Sequence, residues 1–189
     1  MFYKSDRLIV MIDGANFFHA CRSIGLHVDF RKLHSEFASR GKLRQMCYYT
    51  AVQETEEHDT LRPILDWLAY NGYQVMRKPG RSAEGREETS RPRASTDVEF
   101  AVDLVRNSAL CDHLVLMTGN REMVYPIRVA QRNGCRVTVV STIAGEIPSI
   151  SDELRRLADC FIDLESIRGL IARNEAPPGK SPPLAVAAG

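Results

Sequence analysis

No run in this chain approaches the roughly 20 apolar residues that a membrane-spanning helix needs. The first apolar run, Leu8 to Ile12, follows Lys4, Asp6 and Arg7 and is too short for a secretory signal, so a cytoplasmic protein with no membrane partner is expected. The five cysteines (Cys21, Cys47, Cys111, Cys135 and Cys160) form no Cys-x-x-Cys pair, which removes support for a zinc ribbon or a dithiol redox site. Reduced, mostly buried and inert thiols are expected instead. Neither GxGxxG nor GxxxxGK[ST] is present, which lowers the dinucleotide and P-loop readings. Asp13-Gly14-Ala15 lacks the second acid of a haloacid-dehalogenase phosphatase, and no Ser or Cys stands at a recognisable nucleophile elbow. Charge of one sign is also missing: 25 Lys and Arg against 24 Asp and Glu leave a net +1. Any affinity for a polyanion must therefore come from a local patch.

What is present is ordinary globular composition, 44% hydrophobic and 26% charged. Leu8-Ile9-Val10-Met11-Ile12 is a continuous apolar run rich in branched residues, as expected of a strand buried on both faces. Further strands are predicted at Leu43 to Val52, Tyr73 to Met76, His113 to Met117 and Arg136 to Val140, with a short edge strand at Phe161-Ile162. Between them, helical spacing predicts helices over Phe17 to Gly25, from Asp29, over Glu56 to Asn71, from Asp97, over Arg121 to Asn133 and from Ser151. Thr96 or Asp97 is the expected cap of the fourth long helix. Residues 79–96 carry many breakers and no apolar period, which predicts an exposed loop holding Arg81, Arg86, Arg91 and Arg93. Strands alternating with helices predict an α/β domain, a parallel sheet covered on both faces. The domain is expected over residues 1–172, with 173–189 a disordered tail.

Three places carry candidate chemistry: Asp13 and Asn16 after the first strand, Asp97 and Asp103 on the fourth long helix, and Asn120 and Glu122 after the fourth strand. Ligands of open α/β sheets bind at the carboxyl ends of strands, where the strand order reverses. Oxygens gathered there suit Mg²⁺ or Mn²⁺, which polarises a phosphodiester and activates water. Plainer roles compete at each position. Asp13 before Gly serves as a turn residue, Asn16 and Asp97 as helix caps, and Glu122 as a partner of a helix dipole. Asp103, six residues after Asp97, points elsewhere and is free to pair with Arg106 or another base.

Three segments in order, Ile12-Asp13-Gly14-Ala15-Asn16, then Thr96-Asp97-Val98-Glu99-Phe100-Ala101-Val102-Asp103-Leu104, then Met117-Thr118-Gly119-Asn120-Arg121-Glu122-Met123 with Pro126, resemble the NYN domain family. These are the LabA-like members of the PIN nuclease superfamily. Ala158 to Leu164 is similar to the family's closing segment. The resemblance runs from about Arg7 to Leu164. It implies a Rossmann-like, PIN-like three-layer sandwich with a central, mostly parallel sheet, and metal-dependent cleavage of RNA. By that resemblance Asp13 and Asp97 are metal-binding acids, Asn16 helps organise the site and Asp103 is a supporting acid; Asn120 and Glu122, from the third segment, complete the candidate Mg²⁺ or Mn²⁺ ligand set. Asn16, Arg91, Arg93 and Arg121 are the candidate substrate contacts. Such folds also work as homodimers or with protein partners. The third segment departs from the family's Gly-Asp-x-Asp-Phe, since Asn120 lacks the charge and Glu122 carries it on a longer arm. That departure sets a second expectation beside the nuclease: an RNA-binding or regulatory protein with a weakened metal site.

Overall fold

In the computed structural model, residues 1–52, 61–79 and 95–174 are described. β1 (Arg7–Asp13) runs directly into α1 (Gly14–Ser23), and α2 (Phe30–Arg40) leads to β2 (Lys42–Val52). α3 (Arg62–Tyr70) precedes β3 (Tyr73–Pro79), and α4 (Asp97–Ser108) precedes β4 (His113–Met117). α5 (Val124–Arg132), β5 (Arg136–Ser141), α6 (Asp152–Leu157), β6 (Cys160–Asp163) and α7 (Leu164–Ile171) complete the order.

The six strands form one sheet in the order β3-β2-β1-β4-β5-β6, and every pairing between them is parallel. The order reverses between β1 and β4, so the switch point lies where Asp13 and Thr118 leave the sheet. Side chains alternate across each strand. Leu8, Val10, Ile12, Val115 and Met117 pack with α1, α2, α3 and α7 on one face. Ile9, Met11, Leu114, Leu116, Val137 and Val139 pack with α4, α5 and α6 on the other. This is the expected sandwich, with apolar strands buried on both sides. Among the described residues no helix is long and apolar enough to cross a membrane. All five cysteines are free thiols, and only Cys160 is more than marginally exposed. The Sγ atoms of buried Cys111 and Cys135 lie 3.7 Å apart.

Several boundaries differ from the sequence expectation for identifiable reasons. α1 begins at Gly14 rather than Phe17 because Asp13 is both the last strand residue and the helix cap. The single helix expected from Arg121 is a 3₁₀ turn over Arg121–Met123 followed by α5. Pro126 has no N–H for the Glu122 carbonyl and its ring crowds that carbonyl, so the α-helix restarts at Val124. α4 takes no side-chain cap from Thr96 or Asp97; Ser95 Oγ accepts the Asp97 N–H at 3.0 Å. The sequence pattern predicts no helix after Phe161-Ile162, whereas Asp163 caps α7, which buries Leu164, Ile167 and Ile171. Arg173 and Asn174, expected in the tail, are held by His27 and Lys32. The early part of the third predicted helix, most of the predicted loop with Arg81, Arg86, Arg91 and Arg93, and the rest of the tail lie outside the described residues.

Candidate active site

Asp13 is only 7% exposed, and its carboxylate accepts three hydrogen bonds, which leaves Oδ1 with a free lone pair. Its Oδ1 accepts the backbone N–H of Asn16 at 3.2 Å, the usual service of a helix cap. Its Oδ2 accepts from Asn16 Nδ2 at 2.9 Å and from Thr118 Oγ1 at 3.1 Å. Burial pushes its pKa up, the three donated hydrogen bonds pull against that, and the charge of Asp97 pushes it further up. The carboxylate thus has a fixed rotamer and no positive partner. Among the described residues neither Asp13 nor Asp97 enters an ion pair.

The second acid arrives from α4. Asp97 occupies the first helical position, half-buried at the sheet's carboxyl edge. Asn120 Nδ2 donates to Asp97 Oδ1 at 3.0 Å, while Asn120 Oδ1 caps the 3₁₀ turn by accepting the Glu122 N–H at 3.0 Å. The Asn120 N–H itself donates to Thr118 Oγ1 at 3.2 Å. Asn16 closes the set, its Oδ1 accepting the Gly119 N–H at 3.4 Å. One hydrogen-bonded chain therefore joins Asp97, Asn120, Thr118, Asp13 and Asn16, drawn from α4, the β4 end and the β1 end.

Two glycines permit that approach. A Cβ on Gly14 would sit 2.8 Å from both the Tyr48 ring and the Tyr49 carbonyl oxygen. A Cβ on Gly119 would lie 1.6 Å from the Ser149 carbonyl oxygen, where the β5–α6 loop crosses the site. Ser151 N–H donates to the Gly119 carbonyl at 3.3 Å, which fastens the same loop.

The remaining expected residues are placed differently. Glu122 is exposed and joins the network through its backbone N–H. No group of three or more His, Cys, Asp or Glu able to share a metal ion occurs among the described residues. Asp103 pairs with neither Arg106 nor Asp13 or Asp97: its Oδ2 accepts the Tyr49 hydroxyl at 3.0 Å. That phenol is buried against Phe100, and burial holds its pKa well above the ordinary tyrosine value. Arg121 is exposed at the mouth of the site and donates to Glu153 at 3.0 Å. Arg91 and Arg93 lie outside the described residues.

Two contributors went unread in the sequence. Thr118 is 1% exposed and bridges Asp13 to Asn120. Strand register points to it, because Ile12 pairs with Met117 and the next residues are Asp13 and Thr118. Tyr48, beside Ile12 in the β1–β2 register, has its pKa raised by burial and then by Asp13.

The donor set fits one hydrated hard cation better than a closed protein cage. Two nearby carboxylates lack a positive partner, and Asp97 Oδ2 accepts no hydrogen bond among the described residues. Mg²⁺ is held by one or two carboxylates and keeps several waters, which suits such a set.

The NYN domain family model matches residues 7–165. The low amplitude and bright protein LabA of Synechococcus elongatus is 30% identical over 181 residues, covering 94% of this chain and 94% of that protein. A crystal structure of a protein of unknown function from Vibrio parahaemolyticus superposes with a TM-score of 0.68 at 19% identity, covering 87% of this chain and 96% of that one.

Proposed function

The chain belongs to the NYN domain family, part of a nuclease superfamily, and from that premise we propose that it hydrolyses RNA phosphodiester bonds with Mg²⁺ or Mn²⁺. The observation that carries this reading is the meeting of Asp13 and Asp97, without a positive partner among the described residues, at the sheet's switch point. These two carboxylates would hold the ion. When bound, it supplies Lewis acidity to the phosphoryl oxygens and a more acidic water.

The chain's own residues prepare that task. Thr118 and Asn16 lock the Asp13 carboxylate by donated hydrogen bonds, and Asn120 holds Asp97. Such outer partners orient ligands and commonly account for roughly 10–100-fold in affinity or activity. Arg121, exposed at the rim with its Nε on Glu153, would offer its remaining guanidinium N–H groups to a phosphate. Purified full-length chain should cleave a labelled single-stranded RNA with Mn²⁺ and not with EDTA. Asp13→Asn and Asp97→Asn should each lose more than the roughly 100-fold that outer partners account for. Unchanged cleavage in those variants would mean a contaminant and overturn the reading.

A second reading, an RNA-associated protein with a weakened site, is favoured by Asn120. Its N–H, rather than an oxygen, faces Asp97, and its oxygen is committed to the 3₁₀ turn. Under that reading Asn120→Asp gains metal-stimulated cleavage that the parent chain lacks.

A further inference from the structure

We propose that the outward face of α5 is a track for single-stranded RNA leading to the Asp13–Asp97 site. This rests on the RNA reading above and extends it to a surface. The helix buries Ile127 and Ala130 and turns the opposite face to solvent. On that face Tyr125, Arg128 and Arg132 follow at i, i+3 and i+7, so they form one line. Tyr125 is 70% exposed and both arginines are exposed.

Cationic charge goes unpaired on this face although the whole chain carries a net charge of only +1. Glu153 pairs with Arg121, and Asp152 with Arg156. Asp159 is taken by Gln131 and by the Val137 N–H. Arg128, Arg132 and the exposed Arg155 of α6 enter no ion pair among the described residues. Arg128 and Arg132, with Gln131 and Leu157, line a shallow groove of about 400 Å³ between α5 and α6.

The line also begins at the right place. Arg121 directly follows Asn120 of the site, and at about 1.5 Å per residue α5 carries the line on over roughly 12 Å, from Val124 to Arg132. Guanidinium forks match phosphate oxygens, and the exposed aromatic ring of Tyr125 one turn before Arg128 offers a stacking face for an unpaired base. That pairing of features favours a single strand over a duplex, whose bases are already stacked.

The test is fluorescence anisotropy in EDTA with a labelled oligouridylate longer than the ~4–16 nucleotides that a binding groove commonly covers. Arg128→Ala/Arg132→Ala should weaken binding about tenfold or more at low salt. It should also flatten the slope of log K against log salt by about 1.4, at roughly 0.7 per phosphate lost on a single strand. Tyr125→Ala should weaken binding with the slope unchanged, and Arg22→Ala, at the far end of α1, should do neither. Wild-type affinity and slope in the double variant overturn the proposal and leave the groove to an acidic protein partner; so does an absence of RNA binding by the parent chain. Arginine-dependent binding by a chain that never cleaves RNA with Mn²⁺ upholds the track and removes the nuclease reading.

Discussion

Asn120 and Asp97 meet through an N–H: the amide of one donates to the carboxylate of the other at 3.0 Å. An acid at position 120, as the family pattern has it, would set two carboxylates face to face, which repel unless a cation or a shared proton lies between them. The neutral amide lets the fold close without either.

Asn120→Asp therefore separates stability from metal affinity. Without metal the variant should lose about 1–2 kcal/mol, since a hydrogen bond is exchanged for like-charge contact. With saturating Mn²⁺ it should recover more than the parent chain gains, because a tenfold tighter site adds about 1.4 kcal/mol of linked stabilisation. Thermal unfolding across a Mn²⁺ titration measures both. Equal Mn²⁺ gains in the two proteins would argue that position 120 does not face the ion.

Gly119→Ala and Gly169→Ala should move in opposite directions. The first places a methyl 1.6 Å from the Ser149 carbonyl, so the β5–α6 loop must shift; overpacking of this kind costs about 3 kcal/mol. The second lies inside α7 with no atom within 4 Å of the new Cβ, and removing a mid-helix glycine should gain roughly 0.5–1 kcal/mol. Denaturant midpoints report the difference. A neutral Gly119→Ala would mean that the loop does not rest on the site.

His113 gives the fold an acid-side limit. It is 1% exposed, its Nε2 bonds Thr138 at 2.7 Å, and its Nδ1 has no hydrogen-bond partner. Asp6 approaches to 3.8 Å and Arg136 pairs with the same Asp6, while Phe2 stacks on the ring. Burial, then Arg136, pulls its pKa from 6.5 down to about 4. Because the folded value is the lower one, the unfolded chain binds the extra proton between those values. Stability should be fully present above pH 6.5 and fall as the pH drops towards 4, by about 3 kcal/mol at most. Urea titrations at several pH values should show that slope, and His113→Gln should flatten it. A parent chain equally stable across this window would refute the assignment.

The strands could be read from the sequence because β1 and β4 are buried on both faces and have to be apolar throughout. Asp13 was legible as the polar residue ending such a run, and Asp97 as an acid opening a helix. What joins them was not. Thr118 becomes visible only once Ile12 is paired with Met117, a register no linear pattern states. The direction of Asn120, which donates to Asp97, is tied to the 3₁₀ turn that its own side chain caps. α7 escaped because Gly169 and a length of 8 residues weaken its helical signal, while its cap, Asp163, reads as the end of a strand.

The place of Asp103 is open to a direct test. Family resemblance makes it a supporting acid of the site, yet its partner is Tyr49, whose backbone pairs with Asp13 and whose ring packs on Phe100. If the bond serves mainly to hold α4 on the sheet, Tyr49→Phe and Asp103→Ala each remove the same contact. Each should cost about 1 kcal/mol, and the double variant should cost little more than either, a coupling of roughly 1 kcal/mol. Mn²⁺ affinity should then stay within about twofold of the parent in all three, well short of the 10–100-fold loss that marks an outer partner of a metal ligand. Isothermal titration with Mn²⁺ alongside urea unfolding reads both quantities. A tenfold loss of Mn²⁺ affinity in Tyr49→Phe would instead mean that α4, pinned by this bond, sets the position of Asp97 at its own first turn.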